Sequence, residues 1–478
     1  MTDSPGIVVV GGGIAGLAAA LRLVERAAPG VATLVESTER LGGKILTERT
    51  DGFVIEGGPD SFLSSKPDAV ELCRELSLED RLRGTDPDRR RSFVRRDGRL
   101  FELPAGITGL VPSRIGPLLA TRILSVRGRL RAGLEYFVPG RGDSQDETIR
   151  AFITRRFGAE AYDWLVEPLL SGIHAGDGGR LSLRATFPHI ADMERAHGSL
   201  LRAMWRRRAP RPAGPGLVSI EGGLAEMVSQ IERRIPPERI RRGTPAIAVR
   251  REEDRYRVEL ADGSQLTARA VILATPAFVS AELVRTLDPE LARRLAEIPF
   301  VSTAIVTLAY PVEAVPHPLN GSGYLSPRAE GGPVVACSWT SSKFPGRAPE
   351  GSVLLRIFVG RAGSEEVVGR TAQELERAAR VEVSETLGIR AEPTVARVHR
   401  WPRGMPQYVT GHLERIERIE RRLAEHPGLF LAGASYRGVG IPDCIRSGWT
   451  AAAGALLAAG TAAWPGRDAH TERAGSGW

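Results

Sequence analysis

The chain has 478 residues, 42% of them hydrophobic, and a net charge of +8 from 65 basic against 57 acidic side chains. That is enough apolar material for a globular protein of two or three domains, and no uninterrupted apolar run reaches the length of a membrane-spanning helix. The basic residues are spread along the chain, and the clusters Arg89 to Arg91 and Arg206 to Arg208 lack interleaved aromatics, which argues against a nucleic-acid partner.

Cys73, Cys337 and Cys444 stand in no paired ligand spacing, so neither a disulfide framework nor a metal site is expected. The amino terminus runs directly into an apolar strand pattern without a basic region and cleavage site, which predicts a cytoplasmic protein. Only three basic residues are lysines: Lys44, Lys66 and Lys343. Among so many arginines, each marks either a place that wants a compact point charge or a chance retention.

Ile7 to Val10 form an apolar β-type run, followed by "GGGIAGL" and an alanine- and leucine-rich helical pattern to Arg26. The motif G-x-G-x-x-G falls on Gly11, Gly13 and Gly16, with Gly12, Ile14 and Ala15 between them. The first glycine permits a tight strand-to-helix turn and the second lets a pyrophosphate reach the backbone. The third lets helix and strand pack closely, while the helix amino end offers free N–H groups. A second apolar run, Ala32 to Val35, ends at Glu36, placed to bind a ribose hydroxyl beside Ser37. NAD and FAD both fit this far.

Next comes "ERLGGKILT", where Gly42 and Gly43 allow close backbone approach and Arg40 or Lys44 can neutralise a phosphate or face a reduced ring. "DGFVIEGGPDSF" follows, with Gly58, Pro59, Asp60 and Ser61 in its turn. Two ordinary glycine turns are the alternative. Residues 81–214 read as mostly helical. Within them, Leu110 to Val138 mixes apolar and arginine positions at helical spacing, fitting either a packed lid or a surface that docks on an anionic membrane. Tyr256 to Pro276 reads as two alternating strands about an Asp-Gly turn, then a buried strand. Strand runs at Thr303 to Tyr310 and Ser352 to Val359, with a helix near Thr371 to Leu387, predict an α+β domain.

Near the carboxyl end, Leu429 to Ala432 looks like a strand returning to the first sheet, with Gly433 a close-approach point at its carboxyl edge. Gly438, Val439 and Gly440 then present bare backbone, and Ile441 and Pro442 open a helix to about Ala459. Its positive end suits an isoalloxazine that becomes negative on reduction. A simple helix cap is the other reading.

Taken together, Gly11 to Gly16, Arg40 to Lys44, "GGPDSF", "SGIHAGD" (Ser171 to Asp177), "LSLRATFP" (Leu181 to Pro188), "RWPRGMPQYVTGHLERI" (Arg400 to Ile416) and "GVGIPDCIRSG" (Gly438 to Gly448) resemble the FAD-dependent porphyrinogen oxidases of haem synthesis. The motifs span nearly the whole chain. "GIPDC" and the Pro-Gln-Tyr segment look most like the bacterial enzymes that form coproporphyrin III, with protoporphyrinogen oxidases the close alternative. The resemblance implies removal of six electrons and six hydrogens from a porphyrinogen in three flavin turnovers, each ended by O2 with release of hydrogen peroxide. It also implies a product passed to the next enzyme of haem synthesis.

By matching motif, the resemblance places Gly11 to Gly16 at the FAD pyrophosphate, Glu36 at the adenosine ribose and Lys44 near ring or phosphate. Gly58 to Ser61 fall beneath the flavin, Val439 to Ile441 and Trp401 against it, and Ala246 at the adenine, where relatives usually carry valine. Lys66 is the basic residue nearest the flavin loop and a candidate for a substrate carboxylate. His174 stands where relatives tend to carry an aromatic, so its role at the substrate does not transfer directly. Tyr408 and His412 are expected to support the fold, and no catalytic side chain is assigned. Competing classes are a flavin amine oxidase or desaturase, which share the amino-terminal cradle, and a non-catalytic flavoprotein scaffold.

The expected architecture is α/β plus α+β. Residues 1–80, 215–285 and 425–465 form a discontinuous Rossmann-like FAD-binding domain, 81–214 a helical lid or membrane-facing domain, and 286–424 a mixed-sheet substrate domain. Residues 466–478 read as a disordered tail.

Overall fold

A computed structural model describes residues 6–26, 31–104, 107–108, 111–112, 115–141, 145–206 and 216–460. The expected tail and part of the Arg206 to Arg208 cluster lie outside them.

The apolar runs at the two ends of the chain and in its middle meet in one parallel sheet. Its order is Ile240–Arg241, Ala32–Val35, Ile7–Val10, Ala270–Leu273 and Leu429–Leu431. Parallel strands are covered on both faces and so read as continuous Val, Ile and Leu. Here Ile7, Val9, Leu34 and Ile272 pack under the helices Ile14–Arg26 and Ile441–Ala458. Val8, Val10, Val271 and Leu273 pack on the opposite side against the antiparallel strands Ala246–Glu252, Arg255–Leu260 and Gln265–Ala268.

The two covering helices come from opposite ends of the sequence and touch through small residues. A Cβ on Gly448 would lie 2.1 Å from the Ala15 carbonyl oxygen, so the backbones meet with no side chain between them. This contact brings both glycine-rich loops to the same edge of the sheet.

A second sheet has seven strands, ordered Val395–Pro406, Phe300–Pro311, Ser352–Val359, Val334–Trp339, Gly323–Leu325, Ser92–Arg96 and Arg99–Glu102. Because side chains alternate across a strand, its two faces differ. Val306, Leu308, Leu355 and Ile357 pack against Leu375, Ala379 and Val383 of the helix Ala372–Leu387. On the other face, register brings Thr307 beside Arg356, and Thr303 beside Trp401. That face meets the loop from Gly57 to Ser61.

From Ile115 to Arg206 the elements are helices, but before Ile115 the reading of 81–214 as mostly helical fails. Leu82–Gly84 pairs with Leu217–Ile220, and Ser92–Arg96 with Arg99–Glu102 form a hairpin that joins the seven-stranded sheet. The overlooked signal is Asp97-Gly98, both at positive φ (52° and 72°), a pair that suits a two-residue hairpin turn. The helical region proper is held by a fully buried Arg156–Glu135 pair at 3.2 Å, with Glu135 also accepting the Leu200 and Leu201 N–H groups.

Gly448→Ala should lower stability by about 1–3 kcal/mol from overpacking, outweighing the ~1 kcal/mol gain in helix propensity. A lower Tm of the holoprotein is the expected result; an unchanged or raised Tm would contradict the backbone contact.

Candidate functional site

The two amino-terminal glycine turns are built against each other. Gly11, at φ 107°, would place a Cβ 2.9 Å from the Ala274 carbonyl oxygen, and a Cβ on Gly16 would fall 1.9 Å from the Gly11 oxygen. The Gly42 N–H donates to the Gly12 carbonyl at 2.8 Å, and a Cβ on Gly43 would sit 3.0 Å from the Gly13 Cα. Side chains at these positions would close the cradle. The Glu36 carboxylate accepts from the Gly12 N–H at 2.7 Å and the Thr38 N–H at 2.9 Å, with the Ser37 hydroxyl at 3.0 Å. Ser37 therefore turns toward Glu36. Arg40 donates to the carbonyls of Leu41, Ile45 and Gly43, which makes it the brace of the second turn. Lys44 is half-buried: burial lowers its pKa, and the nearby Cys444 thiol opposes that effect.

The loop from Gly57 to Ser61 lies against Lys44, because a Cβ on Gly58 would come within 1.8 Å of the Lys44 carbonyl oxygen. It is fastened to the seven-stranded sheet. The Trp401 indole N–H donates to the Gly57 carbonyl at 2.7 Å, and Arg356 reaches both the Gly58 carbonyl and, at 3.0 Å, the Asp60 carboxylate. Lys343 meets Asp60 at 3.1 Å, and Ser61 donates to it at 2.6 Å. Burial alone would raise the Asp60 pKa, but Lys343 and Arg356 overcome it and hold the carboxyl far below the usual range. The Asp60 side chain thus faces the seven-stranded sheet and the Lys343 segment, and Pro59 lies between the two anchored residues.

The carboxyl-terminal loop completes the arrangement. Gly433 donates to Ser447 Oγ at 2.9 Å and faces Ala15, while Gly440 donates to Asp443 at 3.3 Å. Val439 and Gly440 lead into the helix Ile441–Ala458, whose unpaired N–H groups and dipole favour negative charge. Cys444 in its first turn is enclosed, and burial pushes its thiol up to about 12.

Lys66 is placed differently from the expectation of a free carboxylate receptor. Its ammonium is engaged by both oxygens of Asp443, at 2.6 and 2.8 Å, tying the Gly57 to Ser61 side of the site to the carboxyl-terminal loop. All three lysines of the chain therefore converge on these loops. His174 ends the helix Glu167–His174, its ring edge-on to Phe187 at 5.6 Å and its carbonyl held by Gln407 at 2.9 Å. Burial, then the Lys66 charge, lowers its pKa to about 4, so His174 is held neutral. Ala246 lines a pocket of about 350 Å³ with Phe278, Val279, Leu283 and Arg403. That wall is joined to Glu36 through the Thr244 N–H, which donates to the Glu36 carbonyl at 3.1 Å.

Sequence reasoning missed Arg356 and Arg347, the latter paired with buried Glu56 at 3.2 Å. One signal was available: an arginine inside the apolar run "SVLLRIFV".

Two glycine cradles that a Cβ would fill, an acid held at the end of the second strand, a helix amino end and a half-buried lysine fit a dinucleotide that carries a flavin. They define an FAD-dependent oxidoreductase. Residues 14–456 match the family described as flavin containing amine oxidoreductase, and the chain belongs to it. It is 36% identical over 463 residues to the coproporphyrinogen III oxidase of Bacillus subtilis, covering 94% of this chain and 97% of that one. It is 34% identical over 481 residues to the Homo sapiens protoporphyrinogen oxidase, covering 94% and 98%. A crystal structure of a putative protoporphyrinogen oxidase from Exiguobacterium superposes with a TM-score of 0.84 at 33% identity, over 95% of this chain and 98% of that one.

His174 and His412 are both held neutral, with pKa values lowered by burial from 6.5 to about 4. Between those values the unfolded chain takes up protons that the native state refuses, so stability should fall as pH drops from 6.5 toward 4. Melting curves across that window should show a shallower slope for His174→Phe than for the unaltered protein. Identical slopes would mean that His174 is not held neutral.

Proposed function

We propose that this chain oxidises coproporphyrinogen III to coproporphyrin III in haem synthesis, with three O2 reduced to three hydrogen peroxide as six hydrogens leave the macrocycle. The observation that carries it is the meeting of Lys66 with Asp443 at 2.6 Å, which joins the Gly57 to Ser61 side to the carboxyl-terminal loop, in a chain similar over nearly its full length to named coproporphyrinogen III oxidases.

FAD supplies the electron acceptor and the reaction with O2 when bound. The residues that would hold it are Gly11 to Gly16 at the pyrophosphate, Glu36 at the ribose and Ala246 with its pocket at the adenine. Gly58 to Ser61, Lys44, Trp401 and Val439 to Ile441 would hold the isoalloxazine. The substrate needs an apolar slot edged by cations. Leu63 and Leu217, exposed cross-strand partners three residues from Lys66 and across from it, supply apolar wall, as does Ile173 beside His174. Lys66 orients a propionate, with Asp443 holding the ammonium in place. His174, as neutral imidazole, hydrogen-bonds a second propionate without adding charge. No side chain is needed as a strong base, since the pyrrole protons can leave to solvent.

The test is aerobic turnover of coproporphyrinogen III beside protoporphyrinogen IX at equal concentration, following porphyrin fluorescence and peroxide together. Faster oxidation of coproporphyrinogen is expected. Preference for protoporphyrinogen would overturn the substrate assignment, and turnover of neither would overturn the oxidase reading.

Peripheral contact of this cytoplasmic enzyme with an anionic membrane is the second part of the reading. Val126, Leu130, Leu134 and Phe137 lie at helical spacing with 64%, 66%, 54% and 73% exposure. Arg122 and Arg127 flank them, and the stretch's one acid, Glu135, is buried. Among the described residues no helix is long and apolar enough to cross a membrane. Co-sedimentation with phosphatidylglycerol vesicles should occur and should drop severalfold in Leu130→Ser/Phe137→Ser. Absence of binding, or equal binding by both proteins, would contradict it.

A further inference from the structure

The glycine-rich loop between Gly433 and Gly440 is held by side chains from several segments. Besides Ser447 at Gly433 and Asp443 at Gly440, one turn of the substrate region grips its centre. The Tyr408 hydroxyl donates to the Ala434 carbonyl at 2.7 Å and accepts from the Gly438 N–H at 2.7 Å. His412 Nε2 contacts the Tyr436 carbonyl at 2.8 Å, so that nitrogen carries the proton. The Tyr408 and His412 rings stack at 4.0 Å with 15° between planes, and both residues are buried. Alternate residues of the loop, 434, 436 and 438, are thus pinned from one stacked pair. The pinning matters because Gly438, at φ 145°, has conformational freedom that nothing intrinsic to the loop restrains.

The same turn reaches the substrate side. Gln407, the residue before Tyr408, holds the His174 carbonyl, and the Tyr408 carbonyl accepts from the Ser182 N–H at 2.8 Å. One short segment therefore fixes both the wall beside His174 and the loop that precedes Val439 to Ile441.

We propose that Tyr408 is a positioning residue for the flavin: its hydroxyl sets the Ala434 to Gly438 backbone so that the N–H groups beyond it are preorganised for the negative charge of the reduced ring. This rests on the assignment of Val439 to Ile441 to the isoalloxazine. Tyr408→Phe keeps the ring and its stack on His412 but deletes both hydrogen bonds. The expected result is a folded holoprotein with shifted visible flavin absorption, a lower flavin midpoint potential and an FAD Kd raised about tenfold. His412→Phe, which keeps the stack and removes the Tyr436 tether, should shift the same three quantities in the same direction and stands in if Tyr408→Phe does not fold. Variants whose absorption, potential and Kd all match the unaltered holoprotein would overturn the proposal. None of these readouts uses a porphyrinogen, so a wrong substrate assignment and a wrong role for Tyr408 give separate results.

Discussion

The arrangement depends on backbone contact between two helices that begin more than four hundred residues apart, Ile14–Arg26 and Ile441–Ala458. Gly448 meeting Ala15 without a side chain between them is what lets the two helices lie on the same strands. Both helix amino ends then open toward one edge of the parallel sheet. One follows the Gly11 to Gly13 turn and the other the carboxyl-terminal loop. One parallel sheet built from both ends and the middle of the chain is the geometric result, and it makes the two ends neighbours.

Charge then locks the pieces that hydrophobic burial has brought together. Asp60 with Lys343 and Arg356 fastens the Gly57 to Ser61 loop to the polar face of the seven-stranded sheet, and Lys66 with Asp443 fastens the same side to the final helix. Such pairs add little net stability once desolvation is counted, but breaking one leaves an uncompensated buried charge. Their effect is on geometry: each forbids a loop from relaxing away from its neighbour.

Local features were legible in the sequence and long-range partnerships were not. The cradle at Gly11 to Gly16 and the acid at Glu36 are visible because strand, turn and helix follow one another within a few dozen residues. The hairpin at Ser92 to Glu102 was hidden by reading the whole segment as helical, although Asp97-Gly98 carried the turn signal. Lys66 shows the limit more sharply. Its place after "GPDSFLSS" pointed to the site, yet its partner Asp443 lies 377 residues away and no local pattern links them. Arg356 was similar: an arginine in an apolar strand signals an internal partner without saying which. Tyr408 read as fold support, and only its hydroxyl's two backbone partners show what it supports.

The scarcity of lysine also has a chemical consequence. Every side-chain amine in the protein lies at one site, and the rest of its cationic surface is guanidinium, which stays protonated and reacts poorly as a nucleophile. Metabolic thioesters, cyanate or aldehydes that acylate, carbamylate or glycate amines therefore find no sacrificial lysine elsewhere on the surface. Lys66, its side chain 39% exposed against 12% for Lys343, would be reached first, and capping it would strip Asp443 of its counter-ion. In this protein, covalent damage to side-chain amines would fall on the glycine-loop site before it reached the rest of the fold.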